Sequence, residues 1–268
     1  MKALIVGFGS IGQRHYQNLK KIYKDKVLIN IFREQGKKII IKNNKITKNN
    51  KFDKFYNCKI FNNLKAAFAQ KPNIVLICNP SIFHERFINL CIKKNMNFFV
   101  EKPALISSKK INFFNKQIKY KKLVTMVGFQ QRFNPIIKDI KNIINKNTLG
   151  PIINADFKWH TYLPDHHKYE NYKNSYAARN DLGGGVTYSL IHEIDLMQLF
   201  LGMPRSVIAT KNSIKKISIK ADENIQAFFQ YKNKINHFSS TLSLSFSEKQ
   251  NTRQFKIIFK NGSIICDL

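Results

Sequence analysis

Three glycines near the start of the chain have the spacing that a nucleotide pyrophosphate requires. Residues 2–12 read KALIVGFGSIG, an apolar run that leads into Gly7, Gly9 and Gly12 and then into an amphipathic stretch. Such glycines permit a tight turn, close approach of the phosphates to the backbone and close packing of a helix on a strand, while the helix N-terminus favours negative charge. The strand–turn–helix context therefore predicts a dinucleotide site that includes Gly7, Gly9, Ser10, Ile11 and Gly12.

The end of the next apolar run bears on the choice of nicotinamide cofactor. An NAD-specific site usually places Asp or Glu on the ribose hydroxyls, about 20 residues beyond the glycines. Here that run ends at Phe32, Arg33 and Glu34, so the expected carboxylate position holds Phe or Arg. A cation would bind a 2′-phosphate and favours NADP(H), whereas Glu34, one residue away, leaves NAD(H) open.

Alternating elements must position these residues. Up to about residue 125, amphipathic stretches separate short apolar runs at residues 3–6, 27–32, 74–78, 98–100 and 123–127. Strands that alternate with helices predict βαβ units and a doubly wound parallel sheet with helices on both faces. Residues 1–125 are therefore predicted to form an α/β Rossmann domain, in which the KNNK-type tracts at residues 42–51 form a solvated loop.

The pattern changes beyond Gly128. A helix is predicted at residues 135–145, a strand at 152–162 and a helix at 186–201, followed by β-rich segments at 206–211, 226–231, 238–246, 255–259 and 263–266. Because no helices separate these last segments, they predict an antiparallel sheet. Residues 126–268 are therefore predicted to form a substrate-binding α+β domain with a mainly antiparallel open sheet.

Composition excludes several classes of protein. The formal charge is +30, but only 7 of the 46 basic residues are Arg and the Lys are spread along the chain, which favours a solvated surface over a nucleic-acid site. No apolar run approaches the roughly 18 residues of a membrane span, and no secretory leader is recognised. The four cysteines form no CxxC pair and indicate a reducing cytoplasm. His166 and His167, next to Asp165, could suggest a metal site. Adjacent residues on an extended loop point apart, however, and no third ligand has suitable spacing, so no metal is expected.

Further motifs occur along nearly the whole chain. They are GFGSIGQRH with Arg14 and His15, Asn79-Pro80 before His84, Glu101-Lys102-Pro103, GFQQRFN at residues 128–134, and Gly183-Gly184-Gly185 before His192-Glu-Ile-Asp195. Together these motifs resemble the Gfo/Idh/MocA family of oxidoreductases. The segments at residues 162–165 and 176–179 are similar to a branch associated with surface-polysaccharide and nucleotide-sugar biosynthesis.

The resemblance implies hydride transfer between NAD(P) and a hydroxyl or ketone carbon of a sugar or nucleotide sugar. The oxygen on that carbon must lose or gain a proton, so the site needs a proton-transfer group. Lys102, in the EKP motif after a parallel strand, would hold and polarise the oxygen, and His192 would assist proton transfer. Asp195 is three residues after His192 on the predicted helix and would orient the imidazole or sustain its positive charge.

The resemblance also adds residues to the cofactor site and suggests a set of residues for the sugar site. The cofactor set gains Arg14, Arg33, Asn79, Pro80, His84, Glu101 and Lys102. The sugar set contains Lys102, Arg132, Trp159, Tyr162, His167, Tyr169, Tyr172, Tyr176, Arg179, Ser189 and His192. Aromatic faces would contact the sugar ring, and Arg179 would bind a phosphate or carboxylate.

Two departures from the family pattern leave alternatives open. Many members carry Asp in a D-x-G-x-H pattern before the catalytic His, whereas this chain has Ser189 nearest to that Asp position. Relatives also usually continue for several tens of residues past the point that corresponds to Leu268. The chain is therefore expected to be a shortened version or a fragment, with a sheet that is incompletely covered and depends on partner contacts, as in a homodimer or a higher homo-oligomer. The alternatives to a dehydrogenase are a cofactor-recycling dehydratase or epimerase and a catalytically silent NAD(P)-binding sensor.

Overall fold

The computed structural model describes residues 1–34, 39–42, 45–47, 52–167, 169–213, 217–232 and 237–268. The chain divides into two compact units, Met1–Gly128 and Phe129–Leu268. Among the described residues, no helix is both long and apolar enough to cross a membrane.

The first unit alternates strands with helices. In chain order these are β1 (Lys2–Val6), α1 (Ser10–Tyr23), β2 (Leu28–Phe32), β3 (Ile40–Lys42), β4 (Lys45–Thr47), α2 (Phe52–Tyr56), β5 (Lys59–Phe61), α3 (Leu64–Ala69), β6 (Ile74–Ile77), α4 (His84–Lys93), β7 (Asn97–Val100), α5 (Ile111–Tyr120) and β8 (Thr125–Val127). Six strands form a parallel sheet in the order β5-β2-β1-β6-β7-β8. The predicted doubly wound sheet is thereby confirmed, and its strand order reverses between β1 and β6.

Strand β1 is apolar throughout because both of its faces are covered. Leu4 and Val6 belong to one buried cluster, and Ala3 and Ile5 belong to another. A strand with helices over both faces loses the alternation of polar and apolar residues that a half-exposed strand shows. This burial fixes the carboxyl end of β1, from which the glycine turn begins.

Two features of the first unit depart from the sequence prediction. Strand β5 was not expected, and it pairs with β2 at the sheet edge. The loop predicted at residues 42–51 is wrong in part, because β4 lies within it and pairs with β3 in a hairpin that places Ile41 opposite Ile46. β-Branched side chains favour this extended pairing over a solvated loop. Residues 43–44 and 48–51 of that prediction lie outside the described residues.

The second unit packs helices on one face of a second sheet. Its elements are α6 (Pro135–Asn145), β9 (Ile152–Tyr162), α7 (Val186–Ser189), α8 (His192–Leu201), β10 (Ser206–Asn212), β11 (Asn224–Lys232), β12 (His237–Ser245), β13 (Ser247–Phe259) and β14 (Gly262–Asp267). Short 3-10 turns occupy much of the chain between β9 and α7. The sheet order is β10-β11-β12-β9-β13-β14, and only the β9–β12 pair is parallel. The predicted mainly antiparallel sheet is confirmed.

The single helix predicted at residues 186–201 is wrong. Leu190 has φ −99° and ψ 24°, outside the helical region, so α7 ends before it and α8 begins at His192. Leu190 and Val186 are nevertheless buried in the same core as Met197. The break therefore redirects the backbone just before His192 while these three apolar side chains stay in one core.

Aromatic packing joins the sheet of the second unit to α8. The rings of Phe157 and Phe255 stack with centroids 5.2 Å apart and an interplanar angle of 18°, and Phe200 lies against Phe255 at 5.5 Å. Phe157 is 1% exposed on the central strand β9. Removal of this ring would leave a cavity that the surrounding sheet cannot close.

We expect Phe157→Ala to lower the free energy of unfolding of the second unit by about 3–5 kcal/mol, because apolar burial is lost and a cavity remains. Urea unfolding followed by circular dichroism measures the change. Phe133→Ala is the matched control, since Phe133 is 57% exposed. Equal losses in the two variants would contradict the assignment of Phe157 to the core.

Candidate active site

The glycine turn after β1 leaves open space at one position only. A Cβ on Gly7 would lie 2.7 Å from the backbone nitrogen of Asn79, and one on Gly12 would lie 2.4 Å from the carbonyl oxygen of Gly7. A Cβ on Gly9 would meet nothing within 4 Å. Gly9 also precedes α1 without a side chain to cap it. The turn therefore fits a dinucleotide pyrophosphate, which would occupy the space beside Gly9 at the positive end of α1.

The segments that follow β6 and β7 are joined by a buried imidazole. His84 is 1% exposed; its Nδ1 lies 2.8 Å from the carbonyl oxygen of Pro103 and its Nε2 2.8 Å from that of Asn79. Burial lowers the pKa of His84, and the two carbonyls together with Glu101 oppose that shift. The sequence predicts His84 as a cofactor ligand. In the structure both ring nitrogens contact backbone carbonyls, so His84 ties the segment after β6 to the segment after β7.

The EKP motif lies at the carboxyl end of β7. Oε1 of Glu101 lies 2.7 Å from Nε2 of His15 on α1, and both side chains are largely buried. Lys102 is half-buried at the strand end, and its bond to Pro103 is cis. Open α/β sheets bind their ligands at this edge. The His15–Glu101 pair was not predicted, although both residues belong to motifs that the sequence displays.

The remaining cofactor residues lie at the turn or at the end of β2. Arg14 is exposed on α1. Arg33 follows β2 directly; its backbone N–H donates to the carbonyl of Phe61, and its guanidinium lies 5.5 Å from the ring centroid of Phe52. Glu34 is exposed and forms an ion pair with Arg86 at 3.2 Å. A surface pair of this kind is weak, yet it gives Glu34 a partner on α4.

In the second unit, His192 begins α8 and is 3% exposed. Its Nε2 lies 3.2 Å from Nε2 of Gln130, and its ring is tilted against that of Trp159 with centroids 6.3 Å apart. Phe129 contacts the ring edge-on at 6.1 Å. Gln130 was not predicted, and the GFQQRFN motif is the sequence signal that contains it.

Asp195 and Arg132 form a bidentate ion pair. Arg132 donates from Nε to both carboxylate oxygens of Asp195, at 2.9 and 3.1 Å, and from Nη2 to Oδ1 at 2.6 Å. This bidentate pair raises the pKa of Arg132. The sequence predicts that Arg132 binds substrate and that Asp195 orients His192; in the structure the two residues pair with each other, and Arg132 supplies the cation that the buried carboxylate of Asp195 requires.

A second carboxylate–arginine pair lies beside His192. Arg253 donates from Nε to Glu193 at 2.6 Å, and its guanidinium carbon lies 3.9 Å from the ring centroid of Trp159. Next to it is a cavity of about 400 Å³ lined by Trp159, Thr161, Tyr162, Asp165, His166, Lys249, Asn251, Arg253 and Leu268. Trp159 and Tyr162 belong to the predicted sugar set. Lys249, Asn251 and Arg253 were missed because no motif surrounds them; pairing of β13 with β9 places Arg253 opposite Trp159.

Other members of the predicted sugar set do not line this cavity. His167 lies against Tyr169, Tyr172 donates its hydroxyl to the carbonyl of Ile217, and Arg179 forms an ion pair with Asp181. Tyr176 is half-buried in a 3-10 turn, and Ser189 is buried at the end of α7. Within the described parts of the chain, no group of three His, Cys, Asp or Glu residues is arranged to hold a metal ion.

The fold and the site define a dinucleotide-binding α/β unit followed by a unit with an antiparallel sheet. Residues 1–129 match the family model described as "Oxidoreductase family, NAD-binding Rossmann fold", and residues 137–265 match "GFO/IDH/MocA C-terminal domain". The chain therefore belongs to the Gfo/Idh/MocA family of oxidoreductases.

Individual relatives are distant. Myo-inositol 2-dehydrogenase of Thermotoga maritima is 24% identical over 159 residues, which are 56% of this chain and 42% of the relative. Among solved structures, GenD2 from gentamicin A biosynthesis in complex with NAD has a TM-score of 0.82 at 17% identity. The alignment covers 100% of this chain and 72% of the GenD2 chain. The WlbA dehydrogenase from Bordetella pertussis in complex with NADH and UDP-GlcNAcA has a TM-score of 0.81 at 16% identity, covering 100% and 76%. This chain spans only 33–58% of the length of curated relatives that it matches.

We expect Gly9→Ala and Gly12→Ala to separate cofactor binding from folding. Gly9→Ala adds a methyl group to open space, so it should lower NADH affinity at least about tenfold while the free energy of unfolding falls by less than about 1 kcal/mol. Gly12→Ala forces a methyl group against the Gly7 carbonyl and should destabilise the first unit itself. Fluorescence titration with NADH and urea unfolding measure the two effects. Unchanged NADH affinity in Gly9→Ala would place the pyrophosphate elsewhere.

Proposed function

We propose that the chain is an NAD(P)-dependent oxidoreductase that transfers a hydride between nicotinamide and a hydroxyl or ketone carbon of a sugar or nucleotide sugar. The observation that carries the proposal is the position of Lys102. It follows β7, which is separated from the glycine turn of β1 by β6 alone, so both lie at one carboxyl edge of the parallel sheet. The bound nicotinamide supplies the hydride donor or acceptor.

In this proposal, Lys102 holds and polarises the oxygen of the reacting carbon. An ammonium group beside that oxygen stabilises the negative charge that develops as the proton leaves. Neighbouring groups restrict the motif around Lys102: Glu101 is fixed by His15, and the Pro103 carbonyl is held by His84. Positioning of this kind lowers the entropic cost of reaching the reactive geometry.

His192 is proposed to assist the proton transfer. Its imidazole is buried, contacts Gln130 through Nε2 and packs against Trp159. Imidazole suits this role because its ring nitrogens can both accept and donate a proton. Ser189, nearest to the Asp position of the family's D-x-G-x-H pattern, and His192 lie on either side of a break between α7 and α8.

Several observations support a sugar substrate. Trp159 and Tyr162 offer aromatic surface at the cavity of the second unit. One relative is a myo-inositol 2-dehydrogenase, and one structural neighbour binds UDP-GlcNAcA, so we extend the proposal to polysaccharide biosynthesis. The four cysteines are free thiols, which suits a reducing compartment such as the cytoplasm.

We expect Lys102→Met and His192→Phe each to lower kcat by roughly 10²–10⁴, equivalent to about 3–5 kcal/mol of barrier, with nearly unchanged NADH affinity. Single-turnover hydride transfer at saturating cofactor, with a panel of sugars and UDP-sugars, is the measurement. Lys119→Met, on the exposed surface of α5, is the control. A wild-type rate in either variant removes that residue from the mechanism. Cofactor binding without turnover on the whole panel would favour the silent sensor.

We further propose that Arg33 favours NADP(H). A charge-assisted contact with the 2′-phosphate is worth about 1.5–3 kcal/mol, so NADPH should bind more than tenfold tighter than NADH, and Arg33→Asp should reverse the order. Calorimetric titration of both cofactors decides this, with Arg205→Asp in the second unit as the control. Equal or tighter binding of NADH by the unmodified chain would contradict the proposal.

A further inference from the structure

The guanidinium of Arg253 is held rigidly but is not fully satisfied. Its face covers Trp159 at 3.9 Å and its Nε donates to the buried carboxylate of Glu193 at 2.6 Å. Nη2 is buried and has no hydrogen-bond acceptor among the described residues. Because Nη2 is closed off from solvent, only the remaining exposed part of this side chain, 12% of its surface, can meet a ligand in the cavity.

A second cation lines the same cavity. The Lys249 ammonium lies 6.0 Å from the ring centroid of Tyr162, and no carboxylate of the described residues lies within 4.0 Å of it. Asn251 adds a neutral amide between these two basic residues on β13. Of the lining side chains, Asp165 alone is acidic, and it is exposed at the rim beside His166. Lys249 and Arg253 therefore give this wall an excess of donors for a negatively charged group.

We infer that this cavity binds an anionic group of the substrate, a carboxylate or a phosphate, so that the substrate is an acidic sugar derivative. The inference rests on the proposed function and specifies its substrate class. An arginine fork and an ammonium are the groups that recognise either anion. A neutral sugar can offer hydroxyl oxygens to these donors but brings no negative charge to the two cations, so it should bind more weakly than an anionic analogue.

The cavity also has a defined relation to His192. Trp159 forms its wall and contacts the imidazole of His192, while Glu193, the next residue, anchors Arg253. An anion held by Lys249 and Arg253 would therefore fix one end of a substrate whose other end extends toward His192. Such remote anchoring restricts the position of the reacting carbon.

Binding to the full chain loaded with NADH tests the inference without turnover. The probes are glucuronate, glucose 6-phosphate, UDP-glucuronate and neutral glucose, titrated by calorimetry at one fixed ionic strength. We expect at least one anionic probe to bind more than about tenfold tighter than glucose. Preference for glucuronate assigns the cavity to a carboxylate, and preference for glucose 6-phosphate assigns it to a phosphate; either supports the inference.

Variants then locate the anion. Lys249→Met, at an exposed position, should lower affinity for the preferred anion about tenfold, and Arg253→Lys should do the same because it loses the fork. Affinity for NADH should not change. Lys138→Met is the matched control, because Lys138 is also an exposed lysine over an aromatic ring, Phe133, but it does not line the cavity.

Equal binding of glucose and the anions, no binding of any anionic probe, or unchanged anion affinity in Lys249→Met would each overturn the inference. These failures are distinct from failure of the proposed function. A chain that binds the anion at this cavity but transfers no hydride retains the site and loses the activity. A chain that oxidises only neutral sugars retains the activity and loses the site.

Discussion

At the carboxyl end of β1 the backbone packs so closely that a methyl group does not fit at Gly7 or at Gly12. Contact between backbone and backbone draws the start of α1 against the ends of β1 and β6, where the strand order reverses. The positive end of the helix dipole is thereby aimed at one edge of the sheet. Lys102 lies at that same edge after β7, and His84 joins its segment to the one that follows β6. The cofactor site and the proposed polarising group thus depend on one close approach.

In the second unit, buried charges hold distant segments together. Glu193 and Asp195 are both about 3% exposed in the first turn of α8, where carboxylates also face the positive end of the helix. Each requires a cation, and each has an arginine more than fifty residues away in sequence: Arg253 and Arg132. These two ion pairs bring β13 and the 3-10 turn at Gln130–Phe133 to the start of α8. They therefore determine which groups surround His192.

The difference between local and long-range determinants explains what the sequence predicts. The bounds of α6 and β9 follow from strong local signals, Asn134 and Pro135 at the helix start and alternating apolar residues in the strand, and both are confirmed. Strand β5 and the hairpin of β3 and β4 were missed because three-residue strands carry little periodicity. The break at Leu190 leaves the apolar stripe intact, so periodicity does not reveal it. Arg253 was missed because strand register, rather than spacing, places it against Trp159.

The same distinction applies to electrostatics. A formal charge of +30 spread over the chain attracts anions of every kind, but charges on the surface are screened beyond about 8 Å at physiological ionic strength. Such a field raises the rate of encounter without distinguishing a sugar acid from inorganic phosphate. Discrimination requires donors that are fixed in position, and the Glu193 carboxylate and the Trp159 ring fix the guanidinium of Arg253. In the proposed anion site, the surface lysines would therefore act during encounter, and Arg253 would act on the bound substrate.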